Sequence, residues 1–465
     1  MDVLKQVALP QSTEHFQLLL MILNLIYVVF LPYFGFVLGS AVLSVLEYGR
    51  SQRTGSADAF RLAREAVDIT LNDWRMIVFL AVLPALSLVF IYAQILQSTP
   101  AISVGLMGWG VIALCAGFVL LYVYRLVFKL APVTALADRV ASGEGGLSPE
   151  LSDLTAYSRM KLAGQRRLGR LAVTLLFVSS FLCVGAIVVA ANAENWEGVP
   201  DVFGLLLSVE FWVKYAQFLA VAFGSTGIGM LFFEQGFDGT DTPPAGAYQT
   251  KYRGVGRNLA VVSLLAQPAL IVLGLLILPA RSLSGGVFGL SGASLLMFFL
   301  CAHFVYAYHK RPGRNYSAYA FYTLGVALLL LFTADQMAIG NATRGHSARL
   351  AYLHDKETEL LKSRLGVAAP AMTGEDIYNG KCSACHLFDQ KKVGPPYSLV
   401  LPKYGGDKAR LVAFVLNPVK IDPAYPPMPN QGLKPAEADS VVTYLLGRVG
   451  QARPTQATSP PGAAK

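Results

Sequence analysis

Cys382, Cys385 and His386, in "NGKCSACHLF" (379–388), set two thiols three residues apart with an imidazole directly after the second. In C-x-x-C-H the thiols form thioethers with the two vinyl groups of a haem, and the adjacent histidine is placed to ligate its iron. A zinc site would need about four ligands, and no second C-x-x-C or histidine pair follows in this part of the chain. A thioredoxin-like dithiol would need a βαβ context, which is missing. The spacing therefore points to one covalently held haem c. The chain has five cysteines. The other three, Cys115, Cys183 and Cys301, each stand alone in an apolar run, as small buried hydrophobes do.

The elements that must position this motif are mostly lipid-embedded. Hydrophobic residues make up 54% of 465 positions and charged residues 14%, against roughly one-quarter charged in soluble domains. The net charge of +9 comes from short basic loops between apolar runs, a pattern that membrane topology explains and nucleic-acid binding does not. Segments long enough to cross a bilayer, about 20 residues each, fall near 16–46, 76–96, 102–128, 171–191, 204–233, 258–280, 286–308 and 316–337. The first is too long for a signal-peptide core and is expected to remain as a span.

Lys and Arg next to spans stay on the cytoplasmic side. The loops after spans 1, 3, 5 and 7 carry nearly all of them: Arg50, Arg53, Arg61, Arg64 and Arg75; Arg159, Lys161, Arg166, Arg167 and Arg170; Lys251, Arg253 and Arg257; Lys310, Arg311 and Arg314. The opposite loops hold Arg281 and the acidic "NAENWEGVPD" (192–201). Both ends of the membrane domain, 1–340, are thus expected outside, in the periplasm of a bacterial inner-membrane protein. A helical connector, 341–372, includes an amphipathic stretch at 345–366 broken by Pro370. A soluble domain follows at 373–449, small enough to need a staple or cofactor in its core, and a Pro-, Ala- and Thr-rich tail, 450–465, is expected to be disordered.

Residues 373–449 resemble a class I cytochrome c. "GEDIYNGKCSACH" is similar to that family's first helix and haem-binding turn, "VGPPYSLV" to its Gly-Pro-x-Leu segment, "YPPMPNQGL" to its sixth-ligand loop, and "KPAEADSVVTYLLGRV" to its closing helix. The resemblance implies that the carbonyl of Pro395 accepts a hydrogen bond from the His386 ring, fixing its tautomer, and that Met428 is the second iron ligand. It also implies that Tyr444 packs near Tyr378. Met428 between prolines is poorly suited to core packing, and His/Met ligation saturates the iron and raises its potential. Such a haem carries single electrons and does not bind oxygen.

In the membrane part the fifth span carries Glu210, Lys214 and Gln217 at i, i+4 and i+7, one polar stripe. Two readings stand side by side: a quinone or proton path, or a neutralised Glu210–Lys214 pair joining the span to a neighbouring subunit. A b-type haem needs facing ligands, and of the histidines only His303 lies well inside a span. It is expected to hydrogen-bond between helices, and a second haem would need Met230, Met297 or Met337 as partner. The first two spans and "FWVKYAQFLAVAFGSTGIGMLFFEQG" are faintly similar to the haem-bearing subunit of cytochrome bd quinol oxidases. Asn24 stands where that family has a histidine, so the similarity assigns no ligand.

The expectation is an all-α protein, an eight-helix membrane bundle with a C-terminal class I cytochrome c domain. It would act as a non-catalytic electron-relay subunit of a respiratory or photosynthetic oxidoreductase, with other membrane subunits, a periplasmic electron carrier and a quinone as partners. Two alternatives remain open: a bd-like quinol-oxidising or terminal-oxidase subunit with a fused cytochrome, and a redox-sensing scaffold.

Overall fold

Inside a bilayer every backbone N–H and C=O must be bonded within the protein, and an apolar segment does this by coiling into a helix. The computed structural model of this protein describes residues 11–129, 140, 149–192, 196, 201–234, 246–311, 314–365 and 372–451, and among these there is no strand. Among the described residues eight helices are long and apolar enough to cross a membrane: α1 (Thr13–Thr54), α3 (Trp74–Ile95), α4 (Ser103–Phe128), α5 (Pro149–Ala191, apolar from Gly164), α7 (Val209–Phe233), α8 (Ala247–Ile277), α9 (Gly285–Lys310) and α10 (Arg314–Arg364). This is a membrane protein. Two compact units divide it after Thr343; the described residues before Leu18 belong with the second. The expected tail lies outside the described residues from 452 on, as does the break at Pro370.

Glycine and other small residues set how closely the spans of the first unit pack. Gly35 and Gly39 of α1 lie against Ala222 and Thr226 of α7, where the Thr226 hydroxyl donates to the Phe36 carbonyl at 3.3 Å. Gly110 and Gly117 of α4 lie against Cys183 and Leu176 of α5. Gly227 of α7 meets the backbone of α8 at Gly256 and Ala260. Cys183 and Cys301 are buried and unpaired, and Cys301 donates to the Ala320 carbonyl at 3.3 Å.

Several boundaries differ from the sequence reading. The stretch after α1, read as a loop, holds α2 (Ala57–Leu71), capped by Ser56. Its Ala59, Leu62, Ala63, Ala66 and Val67 are buried, and Asp68 pairs with the buried Arg125 of α4 at 2.6 Å. The fifth span breaks at Ser208 into α6 (Val202–Leu206) and α7. Ser208 accepts from the Phe211 N–H, and the Trp212 indole donates across the break to the Leu206 carbonyl at 2.8 Å. Arg166, Arg167 and Arg170 lie on helix α5 and not in a loop. The last span and the connector form one 51-residue helix, α10. Asn341, a residue that often ends helices by bonding its own backbone, instead donates from its side chain to Ser282 and Ser284.

At Gly227 a Cβ would stand 2.5 Å from the Gly256 carbonyl oxygen and the Ala260 nitrogen. Neither backbone atom can give way without moving α8. Gly227→Ala is therefore expected to destabilise the membrane unit by ~1–3 kcal/mol despite the better helix propensity of alanine. Gly254→Ala, where a Cβ meets open space, is expected to be neutral or mildly stabilising. Thermal unfolding of the two variants in detergent checks the contrast.

Candidate functional site

In the second unit Thr373 opens helix α11 (Gly374–Ile377) with a reciprocal cap: its hydroxyl accepts from the Asp376 N–H and its own N–H donates to the Asp376 carboxylate. The helix widens into a π turn over Tyr378–Cys382. The chain then folds back at once, with the N–H groups of Cys385 and His386 donating to the Cys382 carbonyl at 3.1 and 2.9 Å. Val393 and Gly394 donate to the Cys385 carbonyl. This double closure gathers both thiols and the imidazole of the motif in one turn.

His386 Nδ1 lies 2.9 Å from the carbonyl oxygen of Pro395. A carbonyl only accepts, so Nδ1 carries the proton and Nε2 keeps its lone pair for another bond. The imidazole stacks on Tyr397 with centroids 5.1 Å apart, and behind it Gly394 leaves no room for a Cβ. Cys382 is buried and Cys385 half-buried, both free of disulfides. Burial pushes the Cys382 thiol above its usual range.

The unit closes where α14 (Pro435–Gln451) crosses α11. Gly374 sits so close to the Ser440 carbonyl and Tyr444 that a side chain would not fit, and Tyr444 lies 5.8 Å from Tyr378, centroid to centroid. Short helix α12 (Tyr397–Val400) and α13 (Lys408–Leu416) complete a core of Ile377, Leu401, Leu411, Val412, Val441, Val442 and Leu445. Between α13 and α14 runs the loop with the half-buried Met428. Lys381, next to Cys382, donates to the Gln431 carbonyl at 3.3 Å and ties this loop to the motif. Two thiols, an imidazole with a free Nε2 and a thioether on a tethered loop form a donor set that suits haem c.

A helical domain built around such a turn is a c-type cytochrome. Residues 369–445 match the family model described as cytochrome c oxidase, cbb3-type, subunit III. Cytochrome c-551 of Pseudomonas denitrificans is 36% identical over 81 residues, 95% of that protein and 16% of this chain. Cytochrome c-552 of Hydrogenobacter thermophilus is 34% identical over 92 residues, 93% of its length and 19% of this chain, and cytochrome c-551 of Azotobacter vinelandii 33% over 79, 95% and 16%. Through its C-terminal domain the chain belongs to the class I cytochrome c family.

In the membrane unit the stripe of α7 is divided among different partners. Glu210 accepts from the Asn192 amide at 3.2 Å, while Lys214 pairs with Asp335 of α10 at 2.5 Å and donates to Gln217 at 3.3 Å. The ion pair thus joins α7 to α10 within the chain, which corrects the expected Glu210–Lys214 pair. Next to Asp335, Gln336 comes up against Tyr27 of α1, whose hydroxyl meets that of Tyr92 of α3. Asp335, Gln336, Tyr27 and Tyr92 escaped the sequence reading. The one available signal was an acidic residue in the last span, opposite in sign to Lys214. His303 is also corrected: it lies on the exposed face of α9 with its ring against Phe304, outside the helix–helix contacts it was expected to bridge. His309 meets Arg257 at 2.9 Å.

Both members of the Lys214–Asp335 pair are largely buried, with side chains 18% and 20% exposed. Asp335→Asn would strand the ammonium and is expected to cost ~3 kcal/mol; adding Lys214→Met should recover most of the loss, because no uncompensated charge then remains. Thermal midpoints of the wild type, both single variants and the double variant check this cycle.

Proposed function

We propose that the C-terminal domain holds one haem c through thioethers to Cys382 and Cys385, with His386 and Met428 as iron ligands, and that the chain is the electron-transfer subunit of a membrane-bound respiratory or photosynthetic oxidoreductase. The observation that carries this reading is the His386 ring, whose Nδ1 is committed to Pro395 while Nε2 stays available beside both thiols. A haem so held supplies one-electron transfer. Pro395 fixes the ring plane and tautomer, and a second ligand from the Met428 loop excludes exogenous ones. Lys381 holds that loop closed.

The basic loops after spans 1, 3, 5 and 7 argue for a haem domain outside, in the periplasm of a bacterial inner membrane. There it would meet a soluble electron carrier. Eight spans exceed what tethering one small domain requires, and the matched family description names a subunit of a membrane oxidase. Both support other membrane subunits as partners.

A second reading, a bd-like membrane unit that itself oxidises quinol, is favoured by the buried polar layer around Lys214 and Asp335. Glu210 belongs to it less readily, because it bonds Asn192.

Haem staining after denaturing electrophoresis is expected to be positive for the wild type and lost when Cys382 and Cys385 are both replaced by Ala. Met428→Ala is expected to open the sixth position and lower the midpoint potential, since a thioether favours the reduced state. Covalent haem in the double variant, or an unchanged low-spin spectrum and potential in Met428→Ala, would overturn the ligand assignment. Mixing the oxidised chain with a short-chain ubiquinol separates the two readings: haem c is reduced if the membrane unit oxidises quinol and stays oxidised if the chain only relays electrons from other subunits.

A further inference from the structure

Of the side chains proposed to hold the haem, Met428 is the one that the motif's own turn does not fix. Cys382, Cys385 and His386 are placed by bonds within 378–395, whereas Met428 stands on the loop between α13 and α14. That loop is poorly equipped to hold itself. Pro426, Pro427 and Pro429 surround Met428, and proline has no N–H to donate. From 421 to 430 every residue is exposed except Tyr425 and Met428, which are half-buried.

The bonds that hold the loop therefore come from other parts of the domain. On its far side the Asn430 amide donates to the Leu416 carbonyl at the end of α13 at 3.3 Å. The Asn430 side-chain oxygen accepts from the Gly432 N–H at 2.9 Å, and Gly432 turns the chain toward α14 in the left-handed conformation, with φ 61°. These bonds shape the loop without reaching the haem motif. Two lysines that flank the motif do reach across. Lys381, directly before Cys382, donates to the Gln431 carbonyl at 3.3 Å, and the Lys391 ammonium lies 4.9 Å from the centroid of the Tyr425 ring. Tyr425 and Gln431 stand three residues before and three after Met428, so the loop is gripped on both sides of the proposed ligand. The Lys381 stem leaves from the π turn, which Ser383 closes by donating to the Tyr378 carbonyl at 2.8 Å. Its ammonium thus reaches out from fixed backbone.

We infer that Lys381 and Lys391 are positioning residues for the sixth iron ligand, a two-point clasp that holds Met428 to the haem-binding turn and sets how often that coordination position opens. A loop that prolines have stripped of donors still offers carbonyls and a ring face, and an ammonium bonds both. The Lys381 grip is the stronger, because a charge-assisted hydrogen bond outweighs an exposed cation over a ring. Lys392 carries the same charge in the same neighbourhood, but it donates to the Ser383 carbonyl at 2.9 Å, inside the turn, and does not hold the loop. The inference rests on the reading of Met428 as a ligand, and the experiment separates the two.

The test uses the full-length haem-loaded chain in detergent, oxidised, with neutral imidazole as the probe that competes with Met428 for the iron. At high imidazole the rate of the spectral change levels off at the rate at which the loop opens, a limit that surface charge alone does not move. Lys381→Met is expected to raise that limit by about tenfold or more, and Lys391→Met by about two- to fivefold. Lys392→Met is expected to leave it unchanged. Wild-type limits in Lys381→Met and Lys391→Met at equal covalent haem content would overturn the clasp, and so would a rise in Lys392→Met as large as theirs. Lys391→Met, which alters only an exposed contact, decides alone if Lys381→Met does not take up haem. Imidazole binding by Met428→Ala at the wild-type rate would show that Met428 is not the ligand and remove the reading beneath. Much faster binding by Met428→Ala, with the lysine variants still at the wild-type limit, would keep that ligand and overturn the clasp alone.

Discussion

Hydrocarbon provides no hydrogen-bonding partner, and that constraint shapes the membrane unit from backbone to side chain. Main-chain groups are met inside helices, so all eight long apolar segments coil. Once the backbone is satisfied, helices gain little from further apolar contact with each other than with lipid, and close approach decides which ones associate. That is why the contacts of α7 with α1 and α8 fall at Gly35, Gly39 and Gly227. The same rule governs side chains. Lys214 finds Asp335, Arg253 and Tyr308 share Glu234, and Arg125 finds Asp68.

The cytochrome domain solves a different problem. Fewer than about 80 residues bury too little apolar surface to hold a fold firmly without a staple. Its core is one cluster around Ile377, Val441 and Leu445, brought together where Gly374 lets α11 and α14 meet. Around the haem motif, backbone bonds do most of the positioning: the Cys382 and Cys385 carbonyls each take two N–H groups. The imidazole is then held from one side by Pro395 and from below by Tyr397.

The contrast explains what could be read in advance. The turn from Cys382 to His386 is local and its residue types are demanded by the chemistry, so spacing announced it, whereas the Pro395 contact was implied only by the resemblance to class I cytochromes c. Spans were legible because hydropathy is a bulk property of about 20 residues. The polar contacts of the membrane unit join positions far apart in the sequence, Tyr27 with Tyr92 and Lys214 with Asp335. Lys214 and Asp335 are 121 positions apart, and the nearer Glu210, at helical spacing, was the natural but wrong partner. Boundaries failed for local reasons: α2 is too short to read as a span, Ser208 cuts an apolar run with one cap, and Asn341 looks like a stop until its side chain is seen bonded elsewhere.

The Lys214–Asp335 pair also bears on topology. A lone lysine near the first turns of α7 would count as a positive charge at the end proposed to lie outside, against the bias of the basic loops. Paired with Asp335 it contributes no net charge, and the carboxylate comes from α10, the helix whose sequence runs on toward the haem domain. The charge balance makes Lys214 tolerable in a span, and as a single lysine it is outnumbered by the loop arginines and lysines, whose bias sets the expected direction of the chain.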